Sequence, residues 1–125
     1  MKYLCLAYEQ ESKLAALSRE QWASLREETL AYVEELRRGG HLITTEPLQT
    51  VRSAMTVRVR NGQLSATDGP FAETKEQLGG FFIVEARDLN EAIQLAGRWP
   101  SARIGSIEVR PIAQGLPQEG RNEAN

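Results

Sequence analysis

Tyr3-Leu4-Cys5-Leu6-Ala7-Tyr8 is apolar at every position, so it reads as a β-strand covered on both faces, without a wet side. It is far shorter than the roughly 18 apolar residues needed to suggest a membrane span. A second run of this kind, Phe81-Phe82-Ile83-Val84, lies in a strand predicted over Gly79 to Glu85. Two strands with no polar side require a covering layer on each face, and the remaining elements have to supply those layers.

The next element outward starts at Ser18. Ser18 and Gln21 have the spacing of a capping box, and Leu17 and Trp22 that of a hydrophobic staple. This predicts a helix over Arg19 to Arg38 with an apolar stripe of Trp22, Leu25, Tyr32, Val33 and Leu36. Gly39 or Gly40 supplies the left-handed residue that ends it. His41 to Thr45 reads as a short strand, and Glu46 to Ser53 as a connection broken by Pro47. Met55 to Arg60 alternates cleanly, Asn61-Gly62 is the pair a type I′ turn prefers, and Gln63 to Thr67 returns. A two-residue turn places Val59 against Leu64 and Val57 against Ala66, predicting a half-buried hairpin with Arg58 and Arg60 on its outer face. Asp88 and Glu91 cap a helix whose buried stripe is Leu89, Ala92, Ile93, Ala96 and Trp99 and which stops at Pro100. Ile104 to Arg110 closes the pattern as a strand with Ile107 and Val109 inward.

This order predicts an α+β fold: a ferredoxin-like β-α-β-β-α-β sheet with an inserted β-hairpin. Two helices cover one face of such a sheet only. The other face would be a large exposed apolar patch, so a partner sheet, and hence a homodimer, is expected. One domain over 1–112 is predicted, followed by a mobile tail, 113–125, rich in Gly, Pro and polar residues.

Fifteen basic and seventeen acidic side chains leave a formal charge of −2, which gives no global attraction to nucleic acid or to anionic lipid. Cys5, the single cysteine, forms no intrachain disulfide and reads as a small hydrophobe; with no signal-like segment, a cytoplasmic location is expected. One His and one Cys make no nitrogen and sulfur zinc site, and there is no GxGxxG, P-loop or G-x-S-x-G spacing, so no metal and no cofactor is predicted. Arg52, Arg58 and Arg60 form a basic patch without interleaved aromatics, which argues against nucleic-acid binding.

Between the hairpin and the second apolar strand stands Asp68-Gly69-Pro70-Phe71-Ala72-Glu73-Thr74-Lys75-Glu76-Gln77-Leu78-Gly79-Gly80-Phe81. Asp68 reads either as the cap of a short helical turn begun by Pro70 or as a general base at a cleft beside Phe71. Glu73, Lys75 and Glu76 read as a solvated loop, or, if the loop folds over a pocket, as Lys75 neutralising an anion while Glu73 moves a proton. Gly79-Gly80 permits close backbone approach, for packing or for access to a bound molecule. His41 is the single histidine and the one residue whose ordinary proton affinity lies near neutral pH.

The Asp68–Phe81 stretch resembles the signature of the DGPF branch of the YCII-related family, and the similarity runs from Met1-Lys2-Tyr3 to Glu108-Val109-Arg110-Pro111. The resemblance implies a dimeric α+β barrel in which two sheets pack face to face. In a shorter branch of that family the proposed activity rests on a histidine of the first helix paired with an aspartate. Residues 19–38 here contain no histidine, so only His41 can take that place opposite Asp68. Two functions follow as expectations. One is a small metabolite bound near the signature loop, with Asp68 and His41 catalytic, Phe71, Glu73 and Lys75 binding, and lyase- or isomerase-like acid/base chemistry. The other, implied by the family's frequent genomic proximity to extracytoplasmic-function sigma factors, is a non-enzymatic regulatory module with a transcription-linked protein partner.

Overall fold

Tyr3–Tyr8 and Phe81–Val84 become adjacent antiparallel strands, Cys5 opposite Phe82 and Tyr3 opposite Val84. The computed structural model describes residues 1–114 of the 125; most of the expected mobile tail, from 115 onward, lies outside the described residues. In chain order the elements are β1 (Lys2–Glu9), α1 (Glu11–Ala15), α2 (Arg19–Arg38), β2 (Leu42–Pro47), β3 (Met55–Arg60), β4 (Gln63–Asp68), β5 (Gln77–Glu85), α3 (Leu89–Gly97) and β6 (Ser106–Pro111). Single 3₁₀ turns occur at Val51–Ser53 and Pro100–Arg103. The main sheet has the order β2-β5-β1-β6, antiparallel throughout, and β3-β4 stands apart as a two-stranded ribbon. The α+β ferredoxin-like sheet with an inserted hairpin is therefore the observed fold.

One face of the sheet carries the core. Tyr3, Cys5, Phe82 and Val84 point into it and meet Tyr32 and Leu36 of α2 and Ala92, Leu95 and Ala96 of α3. Ile107 and Val109 pack against its margin, as their pattern predicts. Trp99 stacks on Phe82 with ring centroids 4.1 Å apart and meets Tyr32 edge-on at 6.2 Å. The Tyr32 hydroxyl donates to the Leu95 carbonyl at 2.5 Å, tying α2 to α3. Fully burying a side chain such as Phe82 contributes about 1.5–3 kcal/mol, so this cluster is the main local source of stability. Burial also pushes the Cys5 thiol up to about 12, consistent with a packing role.

The helix signals act as predicted. The Ser18 hydroxyl accepts from the Gln21 N–H at 3.1 Å and the Gln21 side chain accepts from the Ser18 N–H at 2.9 Å, closing the capping box of α2. At its other end Gly40 takes φ +77°, and the His41 N–H reaches the Leu36 carbonyl at 2.9 Å. The Asp88 carboxylate accepts from the Glu91 N–H at 2.9 Å to start α3.

Several expectations are corrected. Trp22, assigned to the buried stripe of α2, is 53% exposed because the first half of α2 stands over Ala7 and Gly80, which are too small to reach it. Leu89 and Ile93 are about half exposed, since α3 turns Ala92, Leu95 and Ala96 inward instead. Strand β2 continues through Pro47, which an edge strand tolerates because its outer N–H has no sheet partner. The short α1 was not anticipated. The hairpin has the predicted register and a type I′ turn, with φ +51° at Asn61 and +73° at Gly62. Its apolar side nonetheless meets no core of its own chain: Val57, Val59 and Leu64 are 58%, 57% and 72% exposed.

Candidate functional site

The signature loop leaves β4 through Gly69, whose φ of +109° suits only glycine. Its N–H donates to the Ala54 carbonyl at 2.9 Å, and Thr56 Oγ1 donates to the Gly69 carbonyl at 2.9 Å, so the loop is pinned to the base of the hairpin. No helical turn follows Pro70, and Asp68 therefore caps none; it ends β4 opposite Met55, exposed. Phe71 is 81% exposed, with the Arg58 guanidinium 5.8 Å from its ring centre. Glu73 and Lys75 are exposed.

At its far end the loop is held by Gln77. Its Oε1 accepts from the Glu11 N–H at 2.9 Å, and its Nε2 donates to the carbonyls of Thr74 at 2.6 Å and Lys75 at 3.3 Å. Ser106 Oγ donates to Glu76 Oε1 at 2.8 Å. A shallow groove of about 620 Å³ results, bordered by Tyr8, Lys75, Glu76 and Ser106.

His41 sits elsewhere. Its Nδ1 lies 2.8 Å from the carbonyl of Glu85, to which it can donate, at the end of β5 opposite Gln77. Eight residue steps of strand separate the two ends, about 26 Å. The base of the hairpin is tied to the Gln77 end, because the Val51 N–H donates to Glu11 Oε2 at 3.0 Å. Within one chain the base of the hairpin, where Asp68 ends β4, is therefore tied to the end of the main sheet opposite His41. Of the five residues singled out by sequence, Phe71 joins the hairpin arm and Lys75 joins the groove; they do not converge on one cavity.

A deeper concavity lies on the helix side of the sheet. Ala7 faces Gly80 across β1 and β5, placing two of the smallest residues side by side on the inner face. Beneath the first half of α2 this leaves a hollow of about 650 Å³, walled by Trp22, Leu25, Val33 and Trp99. Gly79 is the extra residue of a β-bulge, since Ala7 pairs with Gly80 but Tyr8 with Leu78. Any side chain at Gly79 would collide with the Glu9 carboxylate, which rests on it. Gly79, Gly80 and Phe81, the last three residues of the signature, all line the hollow.

Glu9 shares the inner face with Tyr3, Cys5 and Ala7 and lines this hollow, half buried. Burial holds its carboxyl above the ordinary carboxylate range. The nearby hydroxyl of Ser101 opposes the rise, while the like charges of Glu76 and Glu11 add to it. Ser101 is buried beside Glu9, with its hydroxyl oriented toward the carboxyl but closing no hydrogen bond of acceptable geometry. Sequence reasoning missed both residues. The signal for Glu9 was present: in the alternation of β1 it falls on the inward side, beside Gly79-Gly80. Nothing local marks Ser101, which a 3₁₀ turn carries under the sheet edge. Among the described residues no three His, Cys, Asp or Glu side chains gather to hold a metal ion, and no helix is long and apolar enough to cross a membrane.

Comparison with known proteins agrees with this architecture. An uncharacterised protein of Rhizobium meliloti (strain 1021) is 36% identical over 121 residues, covering 95% of this chain and 98% of its own length. The fold is similar to that of 5-chloro-2-hydroxyhydroquinone dehydrochlorinase from Burkholderia phenoliruptrix AC1100, in its complex with 2,5-dihydroxybenzoquinone. The TM-score is 0.54 at 18% identity, over 92% of this chain and 96% of that one. The family model for the YCII-related domain matches residues 1–115, and the chain belongs to that family.

Proposed function

We propose that this YCII-related protein binds a compact small molecule in the hollow beneath α2, works as a homodimer, and moves a proton at Glu9 in lyase- or isomerase-like acid/base chemistry. The observation that carries the reading is the Glu9 carboxyl, held above its ordinary range inside a largely apolar cavity, where general acid/base groups are typically tuned. The signature contributes Gly79-Gly80, whose missing side chains make room for the carboxylate and deepen the floor. Homodimer formation is supported by the exposed apolar side of the hairpin and by the partly exposed Leu4, Leu6 and Ile83 on the sheet's open face, which one chain leaves incompletely covered. On the same fold, the Burkholderia dehydrochlorinase in complex with a small quinone makes lyase-like chemistry on a ring compound compatible with this architecture. Asp68, Phe71, Glu73 and Lys75 then serve the loop and its groove, and His41 anchors the start of β2.

The test is exchange of the α-hydrogens of a small enolisable ketone, cyclohexanone, into deuterated water. The wild-type protein is expected to accelerate exchange above buffer. Glu9→Gln is expected to lose most of that acceleration, between about a hundredfold and ten-thousandfold for a general base. No acceleration by the folded wild-type protein, or full activity in Glu9→Gln, would overturn the proposal.

A further inference from the structure

The hollow beneath α2 has one end unlike the rest. Its walls are largely apolar and include Trp22 and Trp99, the only tryptophans of the chain, together with Leu25 and Val33. Flat indole and branched aliphatic surfaces of this kind suit a ring better than a flexible chain, which would lose more rotamer freedom on binding. At the sheet end stand Glu9 and Ser101; Ser101 is 6% exposed, and its buried hydroxyl has no hydrogen-bond partner of acceptable geometry. A buried hydroxyl left unpaired is costly, so the site gains from a molecule that brings an oxygen to it. Glu11 and Glu76 are close enough to disfavour negative charge at Glu9, while the cation of the lining, Arg26, sits on the exposed side of α2. An anionic ligand would therefore place its charge against carboxylates.

We infer that the ligand is a neutral ring compound, aromatic or alicyclic, carrying a hydroxyl or carbonyl oxygen. That oxygen lies between Glu9 and Ser101 and the ring lies against the two indoles. This rests on the hollow being the binding site, as proposed above. A phenolic or enolic hydroxyl satisfies both partners at once, accepting from Ser101 and donating to the Glu9 carboxylate. Ser101 is then a positioning and specificity residue, setting which end of the ring points inward.

Three probes of similar size separate the alternatives: p-cresol, toluene and benzoate, titrated while following tryptophan emission and the amide NMR signals of Ala7, Gly80 and Ser101. p-Cresol is expected to bind saturably, about tenfold more tightly than toluene, with benzoate weaker still. Ser101→Ala is expected to weaken p-cresol about tenfold, the size of one lost hydrogen bond, and to leave toluene unchanged. Toluene or benzoate binding as tightly as p-cresol would overturn the ligand class while leaving the hollow as a site. No saturable response to any probe would overturn the site as well. Should Ser101→Ala fail to fold, the wild-type spectra decide: p-cresol shifts centred on Gly80 and Ser101 support the inference, and shifts confined to other residues overturn it.

Discussion

Glu9 is costly where it stands. Its carboxyl is half out of water, faces Glu11 from α1 and Glu76 from the loop before β5, and has Arg26 of α2 on the same hollow but exposed to solvent. Because the folded state raises its proton affinity above the ordinary value of 4.5, folding is favoured with the proton on. Its stabilising contribution is complete below pH 4.5 and is lost as pH rises through the folded-state value. Above that value the charged form is a net penalty. Glu9→Gln, which keeps the shape and removes the charge, is therefore expected to melt higher than wild type at pH 7, with an advantage that shrinks as pH falls toward 4.5. Melting curves of both proteins across that range check the sign, and an advantage that grows on acidification would contradict it. The alternation of β1 places Glu9 inward, but its environment depends on Gly79 of a distant strand and on Ser101 of a 3₁₀ turn. For that reason the sequence drew attention to Asp68, whose neighbours in the chain look like a site and whose neighbours in space are mostly solvent.

Among the elements, α2 shows how far local chemistry reaches. Ser18, Gln21 and Gly40 set both its ends, and nothing distant is needed to explain them. Ser18→Ala is expected to destabilise the protein by about 1 kcal/mol, read as a lower urea midpoint with unchanged slope. A loss near zero would mean that docking on the sheet alone holds the first turn. Which residues of α2 become buried is a different matter. The same apolar stripe is tight at Tyr32 and Leu36, over Cys5 and Phe82, and loose at Trp22, over Ala7 and Gly80. The hairpin shows the same division. Asn61-Gly62 determines its turn and register, yet the side that alternation marks as inward has no inward to face within its own chain.

For the whole molecule, the sheet's open face and the hairpin arm form apolar surface that a second copy can cover. Sedimentation is expected to give a dimer at working concentration. Val57→Glu together with Leu64→Glu, charges placed on the exposed apolar side of the hairpin, is expected to shift the equilibrium to monomer by at least about tenfold while leaving far-ultraviolet circular dichroism intact. A dimer unaffected by both substitutions would remove the hairpin from the interface. The main strands, the two long helices with their starting caps, the hairpin turn and the two-sided apolarity of β1 and β5 were determined by the sequence alone, because each depends on residues within a few positions of one another or on a simple period; the short α1 and the run of β2 through Pro47 were not. The hollow, its half-buried carboxyl and the separation of His41 from Asp68 were decided only by the tertiary structure. They depend on which small residues meet across paired strands and on which end of a nine-residue strand each loop joins, and neither is encoded in the spacing of residues along the chain.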